Sequence, residues 1–151
     1  MTRLMKWIAS RLGEGQDEGL DDGANLNLAV AALLVEVIRS DHDVDAAERR
    51  QVVESLRSQL GLGAAEGEEL LALAEQRVDQ AHDLYQFTSQ VNRTCTPQEK
   101  VRLVEQLWRV AHADAVIHKY EEYVIRRIAD LLHVAHRDFI AAKLRSAAPR
   151  P

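Results

Sequence analysis

Residues 26–40, LNLAVAALLVEVIRS, carry apolar side chains on nearly every side of a helix, with Glu36 and Arg39 as the charged interruptions. A helix of that kind has no face suited to water, so it must run through the middle of a domain with other helices around it. Its longest unbroken apolar run, Leu28 to Val35, falls far short of the ~18 residues of a membrane span. The remaining segments are therefore read first as walls for this central helix.

They have the right form. Asp45-Ala-Ala-Glu48 reads as a capping box, with Asp45 as N-cap and Glu48 at N3, and Val52, Val53, Leu56 and Leu60 supply one apolar face behind it. Gly61 and Gly63 end that helix. A third is expected over about 65–82 and a shorter fourth over 84–93. Thr96-Pro-Gln-Glu99 is a second capping box with Pro97 at N1, opening a helix that buries Leu103, Val104, Leu107, Trp108 and Ala111. The next carries Val124, Ile125, Ile128, Leu131 and Leu132, and the last begins near His136 with Phe139, Ile140 and Leu144. His133 and His136 read as decorating a helix end, where partial positive charge is favoured. No segment reads as a strand. The expected class is all-α, a compact bundle of about seven helices.

The 151 residues, 46% of them hydrophobic, suffice for one domain that buries about two thirds of its unfolded surface. Residues 1–24 are set apart: Leu4, Trp7 or Ile8, and Leu12 alternate with Arg3, Lys6 and Arg11 as in a short amphipathic helix, and GEGQDEGLDDG (13–23) reads as a flexible acidic linker. The helical domain is expected over 25–147, with a tail at 148–151. Cys95 is the single cysteine, so neither an intrachain disulfide nor a cysteine zinc cluster is available, which suits a reducing compartment. The N-terminal segment lacks the uninterrupted apolar stretch of a secretory signal, and a cytoplasmic protein is expected.

Net charge is −5, which argues against a general nucleic-acid binder. The charge is unevenly spread: Glu14 to Glu69 holds fourteen acids against four bases, while Lys119 to the C-terminus holds seven bases against four acids. Such polarity can orient docking or self-association.

A shift of 73 residues lays LLVEVIRSDHDVDAAERRQV (33–52) over QLWRVAHADAVIHKYEEYVI (106–125). Leu34 meets Leu107, Val37 meets Val110, Asp41 meets Asp114, Val44 meets Ile117, Glu48 meets Glu121 and Val52 meets Ile125. The pattern Asp-x-x-[Val/Ile]-x-x-x-Glu thus occurs twice, each time between two helices. Two similar helical hairpins, within about 25–82 and 97–147 and related by a pseudo-twofold axis, would produce it. Asp41 and Asp114 close helices at their C-terminal ends, where the macrodipole disfavours an exposed anion by ~0.3–1 kcal/mol. Backbone N–H groups of the turn, a nearby Arg49 or Arg50, or a bound cation would each compensate.

Asp41, Asp43 and Asp45 imitate the opening of an EF-hand, but position six is Ala46 where a Gly is needed and position twelve is Val52 where a bidentate Glu is needed. A different site remains. Asp41, Asp45 and Glu48, with Asp114, His118 and Glu121, are oxygen and imidazole ligands that would converge if both turns lie at one end of the bundle. Oxygen ligands suit Ca²⁺, Mg²⁺ or Mn²⁺, and His118 or His112 admits Zn²⁺. Separate caps and turns are the plainer account of the same residues. Glu36 and Arg109 also correspond under the shift and would pair if the central helices touch near the axis.

Catalysis has little to stand on. A di-iron carboxylate bundle needs two Glu-x-x-His elements and the chain has only Asp130-x-x-His133; Cys95 has no adjacent His; the glycines form no phosphate loop. A non-enzymatic protein is expected.

The doubled Asp-x-x-[Val/Ile]-x-x-x-Glu motif, the apolar helices before each copy and the all-helical layout resemble the tellurite-resistance TerB-like proteins over roughly residues 25–146. That family also includes the N-terminal domain of the membrane-anchored DnaJ-like co-chaperone. The resemblance implies a bundle of about seven helices and an acidic cluster, carried here by Asp41, Glu48, Asp114 and Glu121. It further implies a role in metal sensing or stress complexes near the inner membrane. A protein partner, membrane-associated ones included, or a second copy of the chain is expected, while the charge and the lack of catalytic motifs point to no nucleic acid and no small-molecule substrate. This chain has Asp41-His42 and Asp114-Ala115 where the family often has Asp-Gly, and His118 stands opposite Asp45. A retained site would be altered in its second half. The rival reading is a helical interaction or dimerisation module with no metal, its acids serving as caps.

Overall fold

The computed structural model describes residues 22–39, 46–81, 83–112 and 119–147. Seven helices and no strand occur among them: α1 (Asp22–Arg39), α2 (Ala46–Leu60), α3 (Ala64–Gln80), α4 (Tyr85–Thr94), α5 (Pro97–Ala111), α6 (Lys119–Leu131) and α7 (His136–Ala147). The amphipathic N-terminal segment, nearly all of the linker and the C-terminal tail lie outside the described residues.

The all-round apolar helix is central, as its composition requires. Leu28 to Val35, Val37 and Ile38 are all buried, and α1 packs against α2, α3, α4, α5 and α6. It begins at Asp22, so the last two residues of the expected linker are helical, because the first turn of a helix needs no apolar periodicity to announce it. α7 packs chiefly on α5, away from α1. The core continues through Val52 and Leu56, Leu70, Leu71 and Ala74, Leu107 and Trp108, and Ile125 and Ile128.

Local chemistry fixes the ends. Thr96 and Glu99 form the expected capping box: the Glu99 N–H donates to Thr96 Oγ1 at 3.2 Å and the Thr96 N–H donates to Glu99 Oε1 at 2.8 Å. Gly61 ends α2 at φ +67°, where its own N–H and that of Leu62 both reach the Arg57 carbonyl. α6 ends in the same left-handed manner on His133, φ +61°, with Val134 N–H bonded to Ala129 O and His133 N–H to Asp130 O. His136 is a different case, since it opens α7 and stacks on Phe139, with ring centroids 5.7 Å apart. The positive-charge preference of a C-terminal end therefore does not apply to His136.

Ion pairs tie the outer faces. Arg39, the last residue of α1, bonds Asp79 near the end of α3, so these two helices finish at the same pole. Arg49 in α2 reaches Glu75 of α3 at 2.9 Å. Gly67 of α3 is buried beneath α2; a Cβ there would lie 3.2 Å from Val53 Cγ1 and 3.3 Å from Arg57 Cγ.

Candidate functional site

The two chain segments that join α1 to α2 and α5 to α6 carry most of the predicted ligands. Asp41, Asp45, Asp114 and His118 lie outside the described residues, as does the side chain of Glu48. Their helices follow the sequence echo closely. α2 starts at Ala46 and α6 at Lys119, the same 73-residue offset that aligns Asp41 with Asp114, and Glu48 and Glu121 fall at the same place in the first turn of each. The paired core positions agree in burial, with Leu34, Leu107, Val37, Val110, Val52 and Ile125 all fully buried.

Glu121 is the candidate ligand whose side chain lies among the described residues, and it is 0% exposed. The other first-turn glutamates provide a comparison. Glu99 is exposed, and Glu66, which accepts from the Gly63 N–H at 3.1 Å, is partly exposed. A cap can thus be made at the surface, where the Thr96 backbone N–H and then its side chain hold the Glu99 carboxyl below its ordinary range. Sinking Glu121 into the protein adds a desolvation cost that capping does not require. The N-terminal dipole of α6 offsets part of that cost.

Just before the second hinge, α5 closes on His112. Its Nε2 is buried and makes no hydrogen bond, and its ring lies 6.2 Å from Trp108. Burial and the nearby Lys143 charge push the His112 pKa below its ordinary 6.5. Just after the hinge, Glu122 accepts from Lys143 Nζ at 3.3 Å. The same ammonium stands 5.1 Å from the centroid of the Trp108 ring, within cation–π range, while Phe139 packs on that ring at 5.2 Å. Lys143 is a residue that the sequence pattern did not single out. Its signal was faint: it lies one turn beyond Phe139 on α7, and only the packing of α7 on α5 brings both to Trp108.

The expected Glu36–Arg109 pair does not form. Arg109 forms an ion pair with Glu105, four residues earlier in its own helix, at 3.8 Å. Burial pushes the Glu36 carboxyl above the ordinary 4.5, and the charge of Arg39, three residues on, pulls it part of the way back. A partner one turn along the same helix costs less ordering than one across the core. Among the described residues, no group of three or more His, Cys, Asp or Glu side chains is arranged to hold a metal ion, and no helix is long and apolar enough to cross a membrane.

A family model described as tellurite resistance protein TerB matches residues 27–144, which takes in α1 beyond its first turn and every later helix almost to the end of α7. The chain belongs to the TerB family. No curated relative and no solved structure matches it significantly. The TerB match spans both copies of the acidic motif, so Asp41, Glu48, Asp114 and Glu121 all fall within the family domain.

Proposed function

We propose that this TerB domain is a non-enzymatic stress-response module that binds one divalent cation through the carboxylates of its two hinges. Asp41, Asp45 and Glu48 would contribute from the first hinge, and Asp114, His118 and Glu121 from the second. The observation that carries the reading is the complete burial of Glu121, in contrast to the surface position of the purely capping Glu99. A carboxylate is a hard oxygen ligand of the kind that divalent cations of the Ca²⁺ and Mg²⁺ type take, and Glu121 stands in the first turn after the second hinge. Oxygen-rich donors favour Ca²⁺, Mg²⁺ or Mn²⁺, with Zn²⁺ admitted by His118.

Calorimetric titration of each of the four ions tests the reading. One of them should bind the wild-type chain, and the double variant Asp41→Asn with Asp114→Asn should lose that binding. Heat that is unchanged in the double variant, or absent for all four ions, would contradict it.

A second reading has its own observation. Tyr120 and Tyr123 lie one turn apart on α6 and are 67% and 60% exposed. Tyrosine is enriched in protein interfaces, so α6 would dock a protein partner or a second copy of the chain, with the acids acting as caps alone. In that case the protein binds no ion, and Tyr120→Ser with Tyr123→Ser reduces self-association measured by sedimentation.

A further inference from the structure

Three of the four large apolar side chains that stand exposed among the described residues lie on α6 and α7: Tyr120, Tyr123 and Leu144. Arg126 and Arg127 follow Tyr123 by three and four residues, so they share its side of α6, and both are exposed. Tyrosine and arginine are residue types that protein interfaces enrich. A complementary surface lies on α3. Glu68, Ala72, Glu75 and Asp79 recur at intervals of four, three and four residues and so line one side of that helix. Glu68, Ala72 and Asp79 are exposed, and a single guanidinium, that of Arg49, is shared between Glu68 at 3.5 Å and Glu75 at 2.9 Å. The charge of the two helical pairs differs in the same sense. Residues 46–80 hold seven acids against four bases, while 119–147 hold six bases against four acids, one of which, Glu121, is buried. α3 and α6 both pack on α1 and scarcely on each other, so one folded chain does not bring its own two faces together. A second copy can.

We propose that the exposed side of α6 docks on the acidic side of α3 in a second copy of the chain. Tyr120 and Tyr123 form the apolar part of the contact, Arg126 and Arg127 the charged part, and Ala72 is the apolar gap between the carboxylates that receive them. This rests on the reading of α6 as a docking face and names its occupant, and it is independent of ion binding at the hinges. The rival arrangement, α6 of one copy against α6 of the other, would bring four arginines together, and like charge across an interface is costly. Each copy carries one face of each kind, so the contact joins unlike surfaces. Opposite charge on the two faces steers the encounter and fixes which surfaces meet.

Sedimentation velocity of the full chain over a range of protein concentrations tests this. The wild type should self-associate at low salt and weaken roughly tenfold by ~1 M NaCl, where the Debye length falls to ~3 Å. Two charge reversals address the two faces: Arg127→Glu on α6, and Glu68→Lys on α3, where Arg49 keeps its closer bond to Glu75. Each alone should weaken self-association roughly tenfold. A mixture of the two single variants, and a chain carrying both, should recover it, because opposite charges then meet again. Tyr120→Ser with Tyr123→Ser should weaken it as well. Self-association that is lost in the tyrosine variant but unaffected by either reversal would overturn the role of α3 and leave α6 as a docking face. A wild type that stays monomeric at every concentration, or self-association that survives the tyrosine exchange, would overturn docking of α6 on a second copy altogether. Thermal melting checks that each variant is folded, and Arg127→Gln with Glu68→Gln, smaller in effect and the same in direction, serve where a reversal unfolds the chain.

Discussion

At the scale of single residues, the chain shows where one side chain works against its backbone and where one works against its surroundings. His133 takes the left-handed position that ends α6, a place where a non-glycine residue costs roughly 1–2 kcal/mol. Glycine would remove that cost while adding about 0.5–1 kcal/mol of unfolded-state entropy, so His133→Gly should stabilise by up to about 1 kcal/mol and raise Tm by about 2–4 °C. Scanning calorimetry checks this, and a lower Tm would mean that the imidazole makes a contact worth more than the strain. Glu36 has a carboxyl raised above 4.5 by burial, so the folded state holds its proton more tightly than the unfolded state does. Stability then falls as pH rises from 4.5 through the folded pKa and stays lower above it. Glu36→Gln should therefore gain on the wild type as pH is raised from 4 to 7 in denaturant titrations; a constant difference would show that the Glu36 pKa is the same folded and unfolded. Neither residue was fully legible beforehand. The charge in an apolar helix is evident in the sequence, but Arg109, which the repeat sets opposite Glu36, pairs with Glu105, and the charge felt at Glu36 is that of Arg39 one turn away.

At the scale of helices, periodicity and caps carried most of the information. The Thr96–Glu99 box and the Gly61 stop stand where the sequence puts them, because each is a local interaction among residues within five positions. What fails is judgement of which apolar residue faces in. Leu144 is one of the apolar residues of the last helix, with Phe139 and Ile140, yet it is 66% exposed, since α7 has a single neighbour of consequence and buries a narrow stripe centred on Phe139 and Ala142. Gly67 shows the reverse, a residue whose small size is explained only by the approach of α2. Ala there gains about 1 kcal/mol of helix propensity against contacts near 3.2 Å, and the two roughly cancel. Gly67→Leu has no such balance and should cost about 1–3 kcal/mol by overpacking against Val53 and Arg57, measured by urea unfolding. Stability within about 0.5 kcal/mol of wild type would indicate that α2 and α3 separate readily.

At the scale of the whole molecule, the fold was readable because one helix with no polar face leaves few arrangements: it must be enclosed, and short connections supply the enclosing helices in order. The family could be read for a related reason, as the doubled acidic motif falls on two hinges spaced by the same offset as the helices they precede. The site is less legible from sequence, because convergence of distant carboxylates depends on how the helices on either side of the two connections pack. The central claim is that the two hinges hold one ion between them. Native mass spectrometry of the full chain counts ions directly. One divalent ion per chain is predicted for the wild type, and loss of that ion in Asp41→Asn alone and in Asp114→Asn alone. Two ions per chain, each removed by only one of the substitutions, or no ion at any concentration that leaves the protein folded, would contradict the account.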